Sequence, residues 1–130
     1  MRIMIDTNVL LSALVFGSVR MATVLEKVAE EHTMVLCSYI IDEFREVVTR
    51  KSSKYSAVVD VLFAKLSYEM VYTPNRLDNL PEIRDEKDKP ILAAAILADV
   101  DMIITGDSDF FAVDVERPEI LNPSEFLLRF

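Results

Sequence analysis

Five short apolar runs recur along the chain with longer, helix-patterned stretches between them: residues 2–6 (RIMID), 33–37 (TMVLC), 69–72 (EMVY), 101–105 (DMIIT) and 119–121 (EIL). Each is too short for a stable helix, and its apolar side chains fall on consecutive rather than alternate positions. Strands of that kind are buried on both faces, as in a parallel sheet covered by helices. The pattern predicts an α/β fold: a three-layer α/β/α sandwich around a central, mainly parallel sheet of four or five strands. A chain of 130 residues has room for one core, so residues 1–130 read as a single domain.

Helices are expected over residues 20–30, from Tyr39 to about Lys51, and from about Ser56 to Leu66, with Ser38 as the N-cap of the second. Residues 8–16 are too apolar to classify by period. From Pro90 the run PILAAAILA is apolar almost all round, the mark of a helix buried against other elements, with Asp88 or Lys89 at its cap. Asn122-Pro123-Ser124-Glu125 reads as a capping box opening a last helix.

Several function classes drop out. The single cysteine, Cys37, excludes a disulfide framework and a paired-cysteine metal site, and reads as an inert core thiol. The single histidine, His32, excludes a poly-histidine zinc centre, disfavours a Ser-His-Asp arrangement, and reads as a surface residue. With no signal-peptide pattern and no run of eighteen apolar residues, the expectation is a soluble, cytoplasmic protein without a membrane partner. The formal charge of −8, from 22 acids and 14 bases, argues against a broad basic surface for nucleic acid. It argues less against handling nucleic acid at an acidic pocket filled by metal cations.

The placement of the acids therefore carries the argument. In an open parallel sheet, ligands bind beyond the carboxyl ends of the strands, where the strand order reverses. Asp6 closes the first strand, and Asp107 follows the fourth after Gly106. On the helix from Tyr39, the side chains of Ile40, Ile41, Phe44, Val47 and Val48 form one stripe. Asp42 falls opposite that stripe and Glu43 on its flank, facing a cleft. Asp88 stands at the mouth of the PILAAAILA helix, with Asp85 and Glu86 as competitors in the same stretch. Asp99 lies eleven residues further on, or ~16 Å along a helix, too far to share a site.

Taken singly, each of these acids has an ordinary reading as a strand end, a solvated flank or a helix cap. Converging without a basic partner, they would repel one another and take up protons or bind a dication. An all-oxygen set suits Mg²⁺ or Mn²⁺, one or two ions, rather than zinc. Such sites act on phosphate esters. Arg45, Arg50, Lys51 and Lys54 face one acid, Glu46, in residues 45–54; Arg50 lies on the flank of Glu43. Arg45, Arg50 and Lys51 are the candidates to hold a substrate phosphate. Phe110 and Phe111 read as core anchors.

The ordered set D-T-N-V-L at Asp6 to Leu10, the helical Glu43, D-K-P-I-L-A-A-A from Asp88 and T-G-D-S-D-F from Thr105 resembles the PIN domain. Within that family it is most similar to VapC-like toxin components of prokaryotic toxin–antitoxin pairs. The likeness covers nearly the whole chain. It implies an α/β/α sandwich and a Mg²⁺- or Mn²⁺-dependent ribonuclease leaving a 5′-phosphate. Asp6, Glu43, Asp88 and Asp107 would be the acidic quartet, with Asp109 as an added metal ligand, directly or through water. Thr7, Asn8 and Thr105 would orient the carboxylates and bound water by hydrogen bonds. It further implies an RNA substrate, a small antitoxin lying across the cleft, and a homodimer.

Competing readings fit less well. A phospho-signalling receiver domain wants an acid pair after the first strand and a strand-end Lys, where this chain has D-T-N and T-G-D. A haloacid-dehalogenase-type phosphatase wants a second acid two residues after Asp6, where Asn8 stands. A catalytically silent PIN-like RNA-binding domain keeps the fold without the activity.

Overall fold

The protein is described from a computed structural model, and the residues described are 1–50 and 52–130. Five strands, β1 (Arg2–Ile5), β2 (Thr33–Cys37), β3 (Glu69–Val71), β4 (Met102–Ile104) and β5 (Glu119–Leu121), form one sheet in the order β3-β2-β1-β4-β5. Every pairing is parallel. Between and after them run α1 (Thr7–Leu14), α2 (Val19–Glu31), α3 (Ser38–Thr49), α4 (Ser56–Lys65), α5 (Lys89–Leu97), α6 (Ser108–Phe111) and α7 (Pro123–Arg129). The expected three-layer α/β/α sandwich is the observed one, with five strands.

The apolar runs build the sheet for the reason their composition suggests. Ile3, Met4, Ile5, Val35, Leu36, Ile103 and Ile104 are fully buried, so both faces of the inner strands are covered. β1 is central: Met4 pairs with Val35 on one side and Ile103 on the other. The chain moves one way from β1 to β3, then crosses to β4 and moves the other way. Right-handed crossovers therefore put α1 to α4 on one face and α5 on the other. The order reverses between β1 and β4, and a crevice opens at their carboxyl ends.

The unclassified stretch after Asp6 resolves as α1. Asp6 takes extended backbone angles and its Oδ1 accepts from Val9 N at 2.9 Å, which starts the helix. Ser38 is not an N-cap. Cys37 occupies that position without a side-chain cap bond, and Ser38 Oγ instead accepts from Thr73 N. Thr73 Oγ1 accepts from Tyr39 N in return, at 3.1 Å, so the start of α3 is sewn to the chain leaving β3 rather than capped by itself.

The capping box on α7 forms as expected: Asn122 Oδ1 accepts from Glu125 N at 2.8 Å, and Glu125 Oε1 accepts from Asn122 N at 3.1 Å. Asn122→Ala removes one arm of it. A loss of about 1 kcal/mol in unfolding free energy is expected from urea titration, with unchanged m-value.

His32 departs from its expected surface position. It is half-buried, edge-on to Phe126 and Phe130, because α7 packs against α2 and closes over it. Phe110 is a core anchor but Phe111 is 44% exposed, since α6 is one turn long and buries a single face. Among the described residues no single helix is long and apolar enough to cross a membrane.

Candidate metal centre

Two acids occupy the reversal point of the sheet. Asp6, at the end of β1, is 4% exposed. Its Oδ1 is held by Val9 N and its Oδ2 by the hydroxyl of Thr105, which follows β4 and is fully buried. Thr105 Oγ1 also accepts from Asp107 N at 3.0 Å, so one hydroxyl ties the two strand ends together. Asp107 caps α6, its Oδ1 accepting from Asp109 N at 2.9 Å. Burial pushes the Asp6 carboxyl up; the two hydrogen bonds oppose this, and the nearby charges of Asp107 and Glu43 add to it.

The third acid comes from across the crevice. A 3-10 turn, Glu86–Asp88, precedes α5, and Asp88 sits at its junction with that helix. Its side chain makes no cap bond; it is 8% exposed, and among the described residues Oδ2 meets no donor. Burial, contact with the Asp107 carboxyl and the charges of Asp85 and Asp6 push its pKa up to about 8. Two carboxylates pressed together in a buried setting need a shared proton or a cation.

Four carboxylates close on one point here. Asp85, Asp88, Asp107 and Asp109 each offer an oxygen within 4.8 Å of the others. Both Asp85 and Asp88 belong to the cluster. In a 3-10 turn residues i and i+3 eclipse, so the two acids lie on one side of it. The signal for Asp85 was in the chain as the spacing D-x-x-D just ahead of a proline-opened helix, but it reads as a pair only if that turn winds tightly.

Glu43 is not among the clustered oxygens. It borders an adjoining cleft of about 480 Å³ shared with Thr7, Asn8, Tyr39, Asp42, Arg50, Asp85 and Lys87. As expected it is the less exposed of the acid pair on α3, but Asp42 also reaches the cleft rim, where open solvent was expected. Tyr39 faces Glu43; burial, then the carboxylates of Glu43, Asp85 and Asp88, push its phenol up. Among the described residues Thr7 Oγ1, buried at the cleft, has no hydrogen-bond partner, a hydroxyl available to a bound water or ligand, while Asn8 is exposed on its edge. A wider hollow of about 1170 Å³, between residues 77–89 and 112–114, contains none of the clustered acids.

The basic residues divide. Arg50 lines the cleft and only loosely pairs with Glu46, at 3.8 Å. Arg45 points away: it bonds Asp60 at 2.7 Å and Ser56 on α4, because its place on α3 faces that helix. Lys51 lies outside the described residues. Lys87 lines the cleft beside Asp85 and was not anticipated, since its neighbours Glu86 and Asp88 make it look neutralised.

A sequence model of the PIN domain matches residues 2–109. This chain belongs to the PIN domain family. No curated protein sequence matches it significantly. Solved structures of other PIN-like chains superpose on this PIN domain at low identity. VapBC2 of Rickettsia felis, bound to a DNA fragment from its promoter, supplies a chain 17% identical with a TM-score of 0.74, covering 94% of this chain and 98% of its own. FitAB, bound to a DNA fragment, gives 21% identity and a TM-score of 0.67 over 93% and 94%. VapC20 of Mycobacterium tuberculosis, described as a toxin cleaving the sarcin–ricin loop, gives 14% and 0.61 over 85% and 93%. At these identities the likeness is one of fold.

An all-carboxylate set with an unpaired buried oxygen fits a hard divalent cation.

Proposed function

We propose that this PIN domain is a Mg²⁺- or Mn²⁺-dependent endoribonuclease and the toxin of a toxin–antitoxin pair. The observation that carries the reading is the buried, unpartnered Asp88 oxygen within a four-carboxylate cluster at the reversal point of the sheet. Bound there, one or two dications would lower the pKa of a water and neutralise charge at the scissile phosphate. Asp88, Asp107 and Asp109 would hold a cation, with Asp6 and Glu43 completing the site from β1 and α3. Thr105 fixes Asp6 and Asp107 against each other, and Thr7 and Asn8 offer hydrogen bonds at the cleft edge. The RNA strand would follow the cleft past Tyr39, with Arg50 and Lys87 meeting phosphates beyond the reacting one.

The likeness to a sarcin–ricin-loop-cleaving toxin supports RNA as substrate, and the likeness to VapBC2 and FitAB supports a partner antitoxin. A homodimer and a cytoplasmic site of action belong to the same reading. The test is cleavage of a labelled structured RNA with Mn²⁺, Mg²⁺ or chelator, by the wild type and Asp88→Asn purified in parallel. Metal-dependent cutting absent from the variant supports the reading. Equal cutting by both would mark a contaminant, and RNA binding without cutting would favour the silent PIN-like RNA-binding domain.

The division of the bases gives a second check. Arg50→Ala and Lys87→Ala are expected to weaken RNA binding and to lower the slope of log K against log salt by about 0.7 each. Arg45→Ala, already committed to Asp60, should leave that slope unchanged.

A further inference from the structure

We infer that Asp85 is a direct ligand of the cation held by Asp88, Asp107 and Asp109; this rests on the metal-dependent reading above. Three observations lead to it. An Asp85 carboxylate oxygen lies within 4.8 Å of oxygens from the other three acids, whereas neither Asp6 nor Glu43 belongs to that set. Asp85 Oδ1 accepts from Lys87 N at 3.0 Å and so starts the 3-10 turn, which fixes the carboxyl, while among the described residues Oδ2 accepts no hydrogen bond. Among the described residues no Lys or Arg forms an ion pair with it, although Lys89 on the same turn pairs with Glu86 at 2.7 Å. The buried Asp88 oxygen without a donor is the independent sign that the point on which Asp85 converges takes a ligand.

The turn gives Asp85 its place. Three residues per turn set Asp85 above Asp88, so the two carboxylates approach the cation as a pair from one wall. Asp107 and Asp109 approach from α6 on the other wall. Asp85 is then both the cap that starts its turn and a ligand, and the two roles can be separated by substitution. Asn and Ser cap as well as Asp does. Asp85→Asn and Asp85→Ser therefore keep the turn, while the first removes the charge and the second also removes the reach.

The measurement is Mn²⁺ binding to the purified metal-free protein by electron paramagnetic resonance of free Mn²⁺, alongside the RNA assay. Wild type, Asp85→Asn, Asp85→Ser, Asp88→Asn and Glu86→Gln are compared. Glu86 is exposed on the same turn and removes an equal charge without a ligand position. Both Asp85 variants are expected to bind Mn²⁺ about tenfold or more weakly, at a metal-free melting temperature no lower than that of the wild type, and Glu86→Gln within about twofold of wild type. Unchanged affinity in Asp85→Asn, with wild type cutting RNA and Asp88→Asn failing to bind, would overturn this inference alone and leave Asp85 a cap. Equal weakening in Glu86→Gln would overturn it too, reducing the effect to bulk charge. A wild type that neither binds Mn²⁺ nor cuts RNA would overturn the nuclease reading with it.

Discussion

Asp88→Asn is expected to stabilise the metal-free protein at pH 8 and to abolish metal-dependent RNA cleavage, two opposite effects of one change. The Asp88 carboxyl is buried against Asp107, with a pKa of about 8 against an ordinary 3.8. Because the folded value is raised, the folded chain holds a proton where the unfolded chain does not. The contribution of Asp88 to stability is therefore fully present below about pH 4 and lost as pH climbs towards 8. Asparagine has no charge to lose and can donate to Asp107. In chelator, the melting temperature of the variant should exceed that of the wild type by a margin that opens between pH 5 and 8.5. It should reach about 5 °C, each kcal/mol relieved being worth roughly 3–5 °C in a domain of this size. Saturating Mn²⁺ should raise the wild type and close the margin. Cleavage should fall by about 10³-fold or more. A pH-independent margin, or a variant less stable at pH 8.5, would contradict the burial of an ionised Asp88.

Thr105→Val is the second large effect. Valine matches threonine in shape, so little packing changes at this fully buried position. Two hydrogen bonds go: the hydroxyl no longer donates to Asp6 Oδ2 or accepts from Asp107 N. Stranding buried partners costs about 1–3 kcal/mol, readable by urea titration. Cleavage should drop about 10- to 100-fold as the two acids lose their common anchor. The hydroxyl also holds the Asp6 pKa down, so its loss should move the acidic limb of the pH–rate profile to higher pH. Thr105→Ser, which keeps the hydroxyl, should restore both. A normal profile in Thr105→Val would show that Asp6 is positioned by Val9 alone.

The sheet was legible because doubly buried strands admit almost nothing but apolar residues. RIMID, TMVLC and DMIIT could be read without periodicity. Asp6 and Asp107 were legible because a charge ending such a strand must lie at the crevice. The helix starts were harder. Ser38 has the chemistry of a cap, yet Thr73, far along the chain, supplies the bonds it would have made; a local rule cannot see that partner. Arg45 and Arg50 look alike in sequence, but α4 claims one of them, and only packing decides which. Asp85 was visible as an acid and hidden as a partner of Asp88, since the winding of one turn determines whether side chains three apart meet.

Three carboxylates, Asp6, Asp85 and Asp107, also start a helix or turn by accepting a backbone N–H. On the nuclease proposal, inheritance of the fold and inheritance of the chemistry are thereby written at the same positions. A lineage that abandons catalysis cannot drift freely there. Its accessible exits are Asn and Ser, which preserve each start while discarding the charge. Alanine would appear only where a neighbour has taken over the cap. Among descendants of this sequence, Asn at position 6, 85 or 107 is thus the expected trace of a lost activity, left in a domain that still folds.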